Sequence, residues 1–423
     1  MTVIDVSFDK AADALGKALG AAPASRLFVP GRIEILGKHT DYAGGRSITC
    51  AAERGFAVVF APRGDAMLRV VDAQDGRRVD LPLDGSITPR LGHWSNYPAT
   101  VVRRLARNFD ELRRGADVAF HSTLPRAAGL STSSALVTAI FMVLAQVNGL
   151  RDRDGCNEAV PDDCALAGYL GCIENGRPFG VLAGDGGVGT SGGSEDHTAI
   201  VLSLDGAVSC YRYHPVERLH AFALPSSLTL VVAASGIAAA KTGAARERYN
   251  RAADLVSELS AIAGGRATLN EVVSASGDAP VNLVSAILRA TSRYPARELI
   301  QRLDHFVEEE HRIMPAALDA LARTEWDAFG RLVDRSQRAA EDLLGNQVPE
   351  TMILQRLARE LGAHAASAFG AGFGGSVWAL VGAEDAADFA GRWLASYASH
   401  YPEAAARAMS FVTRPAAGVL TAS

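Results

Sequence analysis

Apolar residues fall at helical spacing over positions 8–19, after which Leu27-Phe28-Val29 makes a short strand pattern that stops at Pro30. The stretch VPGRIEILGKHTDYAGGRSITCAAERGFAVVFAPR alternates as strands do and is broken at 42–45 by a polar, glycine-rich turn. Positions 68–71 and 78–81, around Asp75-Gly76, predict a hairpin. A helix opening at Trp94-Ser95-Asn96-Tyr97 and reaching position 109 precedes a strand at 116–121 and a second, strongly apolar helix ending at Leu150. RDRDGCNEAVPDD is polar enough for a surface connection, 165–174 is helical, and TAIVLSLDGAVSCYRYH predicts two strands joined at Asp205-Gly206.

The composition shifts near 214–225. A strand at 228–234 opens a mostly helical half, with helices predicted at 244–263, 282–290, 296–312, 326–343 and 351–361. The run SAFGAGFGGSVWALVG is a glycine-rich turn leading into a strand at 377–381, followed by a helix at 383–399 and a strand at 411–412. That order predicts a small antiparallel sheet covered by helices. The class is α+β. A chain of 423 residues exceeds one ordinary core, so two domains are expected, 1–218 and 219–423.

Composition narrows the function. Apolar residues at 48% and charged ones at 21% describe a globular chain, and a net charge of −5 without a basic, aromatic-interleaved run excludes nucleic acid as a partner. Five cysteines without CxxC spacing predict reduced thiols in a cytoplasmic protein. The first residues do not look like a signal or transit peptide, and the most apolar helix carries Thr138, Gln146 and Asn148, which argues against a membrane span.

The chemistry is concentrated in two places. In LPRAAGLSTSSA, small residues and four hydroxyls stand where a helix begins. Ser131, Thr132, Ser133 and Ser134 can cap first-turn amides, and the same helix start can receive phosphate. Ala127, Ala128 and Gly129 leave the backbone approachable, and the Ser133 hydroxyl can reach a Mg²⁺ carried by phosphates. The competing reading is a capped core helix. No Gly-Lys-Ser/Thr is present, so this is not a Walker A loop. The second place is the first strand-turn-strand unit, where Arg32, Glu34, Lys38, His39, Asp41 and Arg46 suit a polar ligand better than a core.

PGRIEILGKHTDYAGG, LPRAAGLSTSSA and GAGFGGSVWALV, in that order, resemble the GHMP small-molecule kinases, and the first resembles the galactokinase signature. WSNY, the regions of Glu174 and Asp196, and EEEHRIMPAALDALARTEWDAFGRLVDRSQ extend the likeness over most of the chain. The resemblance implies the two-domain GHMP kinase fold: an S5-like α+β domain, then a ferredoxin-like, helix-covered antiparallel sheet, with the active site in the cleft between them. It also implies an ATP- and Mg²⁺-dependent kinase acting on the anomeric hydroxyl of galactose or a similar sugar. Arg32 resembles the arginine beside the transferred phosphoryl, and Asp196 the catalytic base. His39 and Asp41 resemble sugar-hydroxyl ligands, and Trp94 the tryptophan beside adenine. Ala128, Gly129, Leu130, Ser131, Thr132, Ser133 and Ser134 resemble the phosphate loop, with Ser133 and Glu174 as metal ligands. The turn 370–375, Gly372 included, resembles the second glycine-rich turn, on the substrate side. For His197 a structural hydrogen bond is expected. The segment KTGAARERYNRA, with Tyr249, occupies the region of the family's sugar-binding tyrosine.

Some positions depart from the family pattern. Lys38 stands where galactokinases usually carry glutamate, Glu34 where many carry asparagine, and Ala127 where the phosphate loop carries glycine. Gln337 and Ser376 replace a common histidine and cysteine, and a longer stretch separates Glu174 from Asp196. A lysine has donors and no acceptor, so Lys38, with Arg46 nearby, suits the carboxylate of a uronic acid; the alternative is that Lys38 pairs with Glu34 or Asp41. Two rival functions follow: a uronic-acid 1-kinase (galacturonate or glucuronate), and a non-catalytic sensor that binds sugar and ATP. A mevalonate- or homoserine-type kinase is disfavoured by HTDYAGG.

Overall fold

The computed structural model describes residues 2–90, 92–109, 112–125, 127–239, 243–265 and 267–422. The chain begins with α1 (Val3–Leu19), whose start is closed by a capping box between Thr2 and Asp5. Strands β1 (Ser25–Leu36), β2 (Arg46–Pro62), β3 (Met67–Asp72), β4 (Arg78–Pro82) and β5 (Ala116–Ser122) follow, with α2 (Asn96–Asn108) ahead of β5. Pro30 does not end β1. Its missing N–H is tolerated where the pairing with β2 shifts register, between Pro30 and Arg32, and a second shift lies between Glu34 and Leu36. Next come α3 (Thr132–Asn148), α4 (Asp154–Ala159), α5 (Asp163–Asn175) and α6 (Glu195–Leu202), then β6 (Ala207–Arg212) and β7 (Glu217–Ala223).

The segment expected to start a strand at Thr198 is helix α6 instead. Its β-branched residues Thr198 and Ile200 are fully buried and α6 packs on α5 and α3, so tertiary burial overrides the strand propensity. RDRDGCNEAVPDD also holds a short helix, α4, with Cys156 buried beneath it.

The later half contributes β8 (Leu228–Ala234), β9 (Ala365–Phe369), β10 (Ser376–Gly382) and β11 (Met409–Thr413), in the order β11-β8-β10-β9, all antiparallel. This is the helix-covered antiparallel sheet expected, with β9 in addition. Leu230 and Val232 face one side and Val231 and Ala233 the other. The first side joins the core of the larger sheet; the second is covered by residues such as Leu354, Phe389 and Trp393. Short strands β12 (Pro415–Ala416) and β13 (Leu420–Ala422) return to the first sheet, on β2 and β1. A single cut at 218/219 therefore does not separate the sheets: β7 spans it, and the chain's end crosses back.

Helix α7 (Gly243–Ile262) and the helices Ala279–Arg289 and Ala296–Phe306 build a third core, around Leu259, Leu299 and Phe306, which packs on Ala43 of the first turn. The last of them widens into a π-helical turn, Val307–Ile313. Among the described residues no helix is long and apolar enough to cross a membrane.

Candidate active site

Two cavities meet beside Arg32 of β1. Arg32, Asp196 and Ala371 line both.

The larger cavity, about 390 Å³, is apolar at one end, with Trp94, Tyr97, Phe120, Leu124 and Leu136. The Arg77 guanidinium stands 5.4 Å from the Trp94 ring centre. The other end is the start of α3. Ser131 takes a left-handed conformation (φ 58°) and makes no capping bond, so the expected side-chain cap is not formed there. Its Oγ is buried without a hydrogen-bond partner, which leaves donor capacity of both side chain and helix start directed at the cavity. Gly129 (φ 75°) lies against the carbonyl of Phe369, where a Cβ would crowd the turn. An aromatic slot leading to a donor-rich helix start fits a nucleotide, base first and phosphates last.

The smaller cavity is polar. Glu34, His39, Asp41, Tyr42, Ser134, Glu174, Glu195 and Tyr249 line it with the glycines Gly192, Gly193 and Gly370. Gly193 is required by contact, since a Cβ there would overlap the Asp41 carboxylate. Asn175 Nδ2 donates to the Gly192 carbonyl at 2.9 Å, and Asn250 bridges Ser191 and Gly189, so the long glycine-rich loop is tied down beside the cavity. His39 Nδ1 is 2.7 Å from the Tyr42 hydroxyl, and its ring lies 5.7 Å from that of Tyr249.

At the junction Arg32 Nη2 is 2.6 Å from Asp196 Oδ1, Nε is 3.4 Å from Glu195 Oε1, and Nη1 donates to the Gly129 carbonyl at 2.8 Å. Burial works against the guanidinium's charge, but Asp196, Glu195 and Glu34 outweigh it and hold its pKa above the ordinary value. The adjacent acids differ. Burial, then the Glu34 charge, push the Glu195 carboxyl well above the usual range despite Arg32. Asp41 is pushed up to about 6, chiefly by burial. Ser134 Oγ lies 2.7 Å from Glu174 Oε2 and 3.2 Å from Asp196 Oδ2, and His197 Nε2 is 3.0 Å from Glu174. His197 Nδ1 also meets the Thr138 hydroxyl at 3.3 Å, the structural bond expected of it.

The expected site residues separate by direction. Trp94, Gly129, Ser131, Thr132 and Ser133 line the larger cavity; Ala128 and Leu130 are buried behind it, their carbonyls accepting from Ser376 Oγ and from the Arg32 amide. Ser134, not Ser133, meets Glu174. Lys38 lines neither cavity: its fully buried Nζ donates to Ser367 Oγ at 2.8 Å and lies 3.7 Å from Glu34 Oε1. Gly372 packs against Asn346, and Gly370 and Ala371 form the wall instead. Lys241 and Thr242 of KTGAARERYNRA lie outside the described residues, as does Arg126 of the phosphate loop, whereas Tyr249 is at the cavity.

Sequence reasoning missed Glu309 and Glu310. Glu309 Oε1 accepts from the amides of Gly37 (2.9 Å) and Lys38 (3.3 Å) and from Ser336 Oγ (2.9 Å). Glu310 accepts from Arg46 N and Nε, both at 2.7 Å. These two carboxylates hold the HTDYAGG turn from behind. The available signal was a run of three glutamates on a helix otherwise packed against apolar residues.

Three protein-family models and several known proteins resemble this chain. The galactokinase galactose-binding signature matches residues 16–62, the GHMP kinases N terminal domain 96–160, and the GHMP kinases C terminal domain 317–399. The galactokinase of Actinobacillus pleuropneumoniae serotype 3 is 27% identical over 365 residues, 86% of each chain. That of Chloroflexus aggregans is 28% identical over 383 residues, 90% of this chain and 89% of its own. In fold, the chain superposes on the crystal structure of Lactococcus lactis galactokinase complexed with galactose with a TM-score of 0.81, at 20% identity, over 99% of this chain and 100% of the other. The Methanococcus jannaschii mevalonate kinase is more distant, with a TM-score of 0.55 at 13% identity over 92% and 98%.

Proposed function

We propose that this chain, which is a galactokinase-like member of the GHMP kinases, transfers the γ-phosphoryl group of ATP to the anomeric hydroxyl of galactose. The observation that carries the reading is the Arg32–Asp196 pair at the meeting point of a nucleotide-shaped cavity and a polar, hydroxyl-matching one.

The chemistry follows from that placement. ATP lies with its base between Trp94 and the apolar wall and its phosphates on the start of α3, received by Ser131, Thr132 and Ser133 and the amides of the first turn. The sugar lies against His39, Asp41, Glu34 and Tyr249. Phosphoryl transfer asks mainly for alignment and for neutralisation of charge on the transferring group. Arg32, held charged by its acidic neighbours, supplies neutralisation from the protein. Ser134 and Glu174, 2.7 Å apart, would hold a Mg²⁺ brought in with the phosphates, and the ion would supply the rest. Among the described residues no cluster of three or more His, Cys, Asp or Glu is disposed as a metal site by itself.

Asp196 orients the anomeric hydroxyl and takes its proton. Glu195 is the weaker candidate, because burial and the Glu34 charge disfavour its ionised form. The test is ATP turnover over a sugar panel, read as sugar 1-phosphate: galactose is converted, and a panel giving no sugar 1-phosphate while ATP and galactose both bind rejects the kinase in favour of a sensor.

A further inference from the structure

Glu34 is an anomaly in the smaller cavity. Its side chain is 3% exposed, it lines the cavity, and Oε1 is buried without a hydrogen-bond partner. The nearest cation, Lys38 Nζ at 3.7 Å, attracts it across a gap too long for a hydrogen bond, since that ammonium donates to Ser367 instead. An orphaned buried acceptor is costly unless something supplies a donor, and Glu34 is one of the residues that wall the smaller cavity, whereas Lys38 is not.

We infer that Glu34 is a specificity-determining residue, taking a hydrogen bond from a hydroxyl or ammonium group of the bound hexose while Lys38, behind it, holds its charge in place. The inference rests on the sugar-kinase reading. It reverses the role that residue types alone gave Lys38: the cation faces away from the substrate and an anion faces it. The surrounding charge agrees. Asp41, Glu174 and Asp196 line the same cavity, and the one guanidinium among its described lining residues, Arg32, is already engaged by Asp196, Glu195 and Gly129. A uronate carboxylate entering beside Glu34 meets like charge with no uncommitted cation among the described lining residues. A neutral hexose, or one bearing an ammonium in place of a hydroxyl, meets an acceptor.

The experiment compares galactose, galactosamine and galacturonate in wild type, in Glu34→Gln, and in Glu34→Gln/Lys38→Met, which also removes the partner charge in case the single variant is unstable. Sugar 1-phosphate formation and calorimetric sugar binding are measured separately. Wild type is expected to use galactose and galactosamine and to disfavour galacturonate by about 100-fold or more in kcat/KM. Loss of a charge-assisted hydrogen bond lowers galactose kcat/KM in Glu34→Gln by about 10- to 150-fold, mainly through KM, and narrows the galactose-to-galacturonate ratio. A ratio unchanged in both variants overturns the inference, as does a wild type that prefers galacturonate. If no sugar is phosphorylated but the same ratios appear in binding, the kinase reading fails and the role of Glu34 stands.

Discussion

Arg32 Nη2 and Asp196 Oδ1 stand 2.6 Å apart, one on a strand of the first sheet and the other in the first turn of a helix more than 160 positions later in the chain. The strand's two register shifts bracket Arg32 and Glu34, and such irregularities re-aim side chains out of the regular alternation. The result is a cation and a carboxylate fixed between two cavities, with a second carboxyl, Glu195, alongside.

That geometry separates the two acids by experiment. Asp196→Ala is expected to lower kcat by about 10²- to 10⁴-fold, the usual contribution of a positioned acid–base group, with ATP affinity little changed. Glu195→Gln, which keeps the protonated shape of a buried carboxyl, is expected to cost far less. Steady-state kinetics on both variants decide between them, and a reversed order assigns the proton transfer to Glu195.

Asp41 makes stability depend on pH in an unusual direction. Its carboxyl is pushed up to about 6 by burial, partly opposed by bonds from the Glu195 and Tyr42 amides. The folded state therefore holds a proton that the unfolded chain releases near pH 4. The stabilisation from this group is complete below pH 4 and is lost as pH rises through about 6, with a slope of up to about 1.4 kcal/mol per pH unit. Asp41→Asn removes that slope. Denaturation of the ligand-free protein from pH 4 to 7 should show a smaller loss of stability with rising pH in the variant; identical curves mean that Asp41 is ionised throughout.

Ser131→Ala tests whether the helix start serves the ligand. A capping hydroxyl contributes about 0.5–2 kcal/mol, but this one makes no bond within the protein. The melting temperature should stay close to that of wild type while KM for ATP rises by roughly tenfold, as for one lost hydrogen bond to a charged group. A lowered melting temperature with unchanged ATP kinetics would return the hydroxyl to a structural role.

Glu309 acts through the turn it holds. Glu309→Ala strips acceptors from two buried amides and the Ser336 hydroxyl, a loss of about 3 kcal/mol or more at 1–3 per stranded group. The variant should melt earlier and bind galactose more weakly, with ATP affinity retained. Equal losses for both ligands would indicate general unfolding, not a displaced turn.

Much of the site was legible in the residues. Glycines and hydroxyls mark where a helix start must stay open, because only small side chains leave backbone amides approachable. HTDYAGG marks a tight polar turn, and the apolar periods located most helices and the strands at 228–234 and 377–381. These are local properties, carried by residue type and spacing.

Direction was not local. Glu34 stands on a strand with a shifted register and Lys38 in the turn just beyond its end, and sequence could not say which faced the ligand; burial of the Lys38 ammonium against Ser367 decided it. Glu195 and Asp196 are consecutive, yet one is packed under the Asp41 turn and the other faces both cavities. Ser131 and Ser134 looked equivalent until one proved unpartnered and the other bridged two carboxylates. Glu309 and Glu310 reached the first turn only because the chain folded a helix across it. Residue type determines what a side chain can do, whereas its orientation and its charge state depend on which distant elements exclude water from it. Those elements come together only in the tertiary structure.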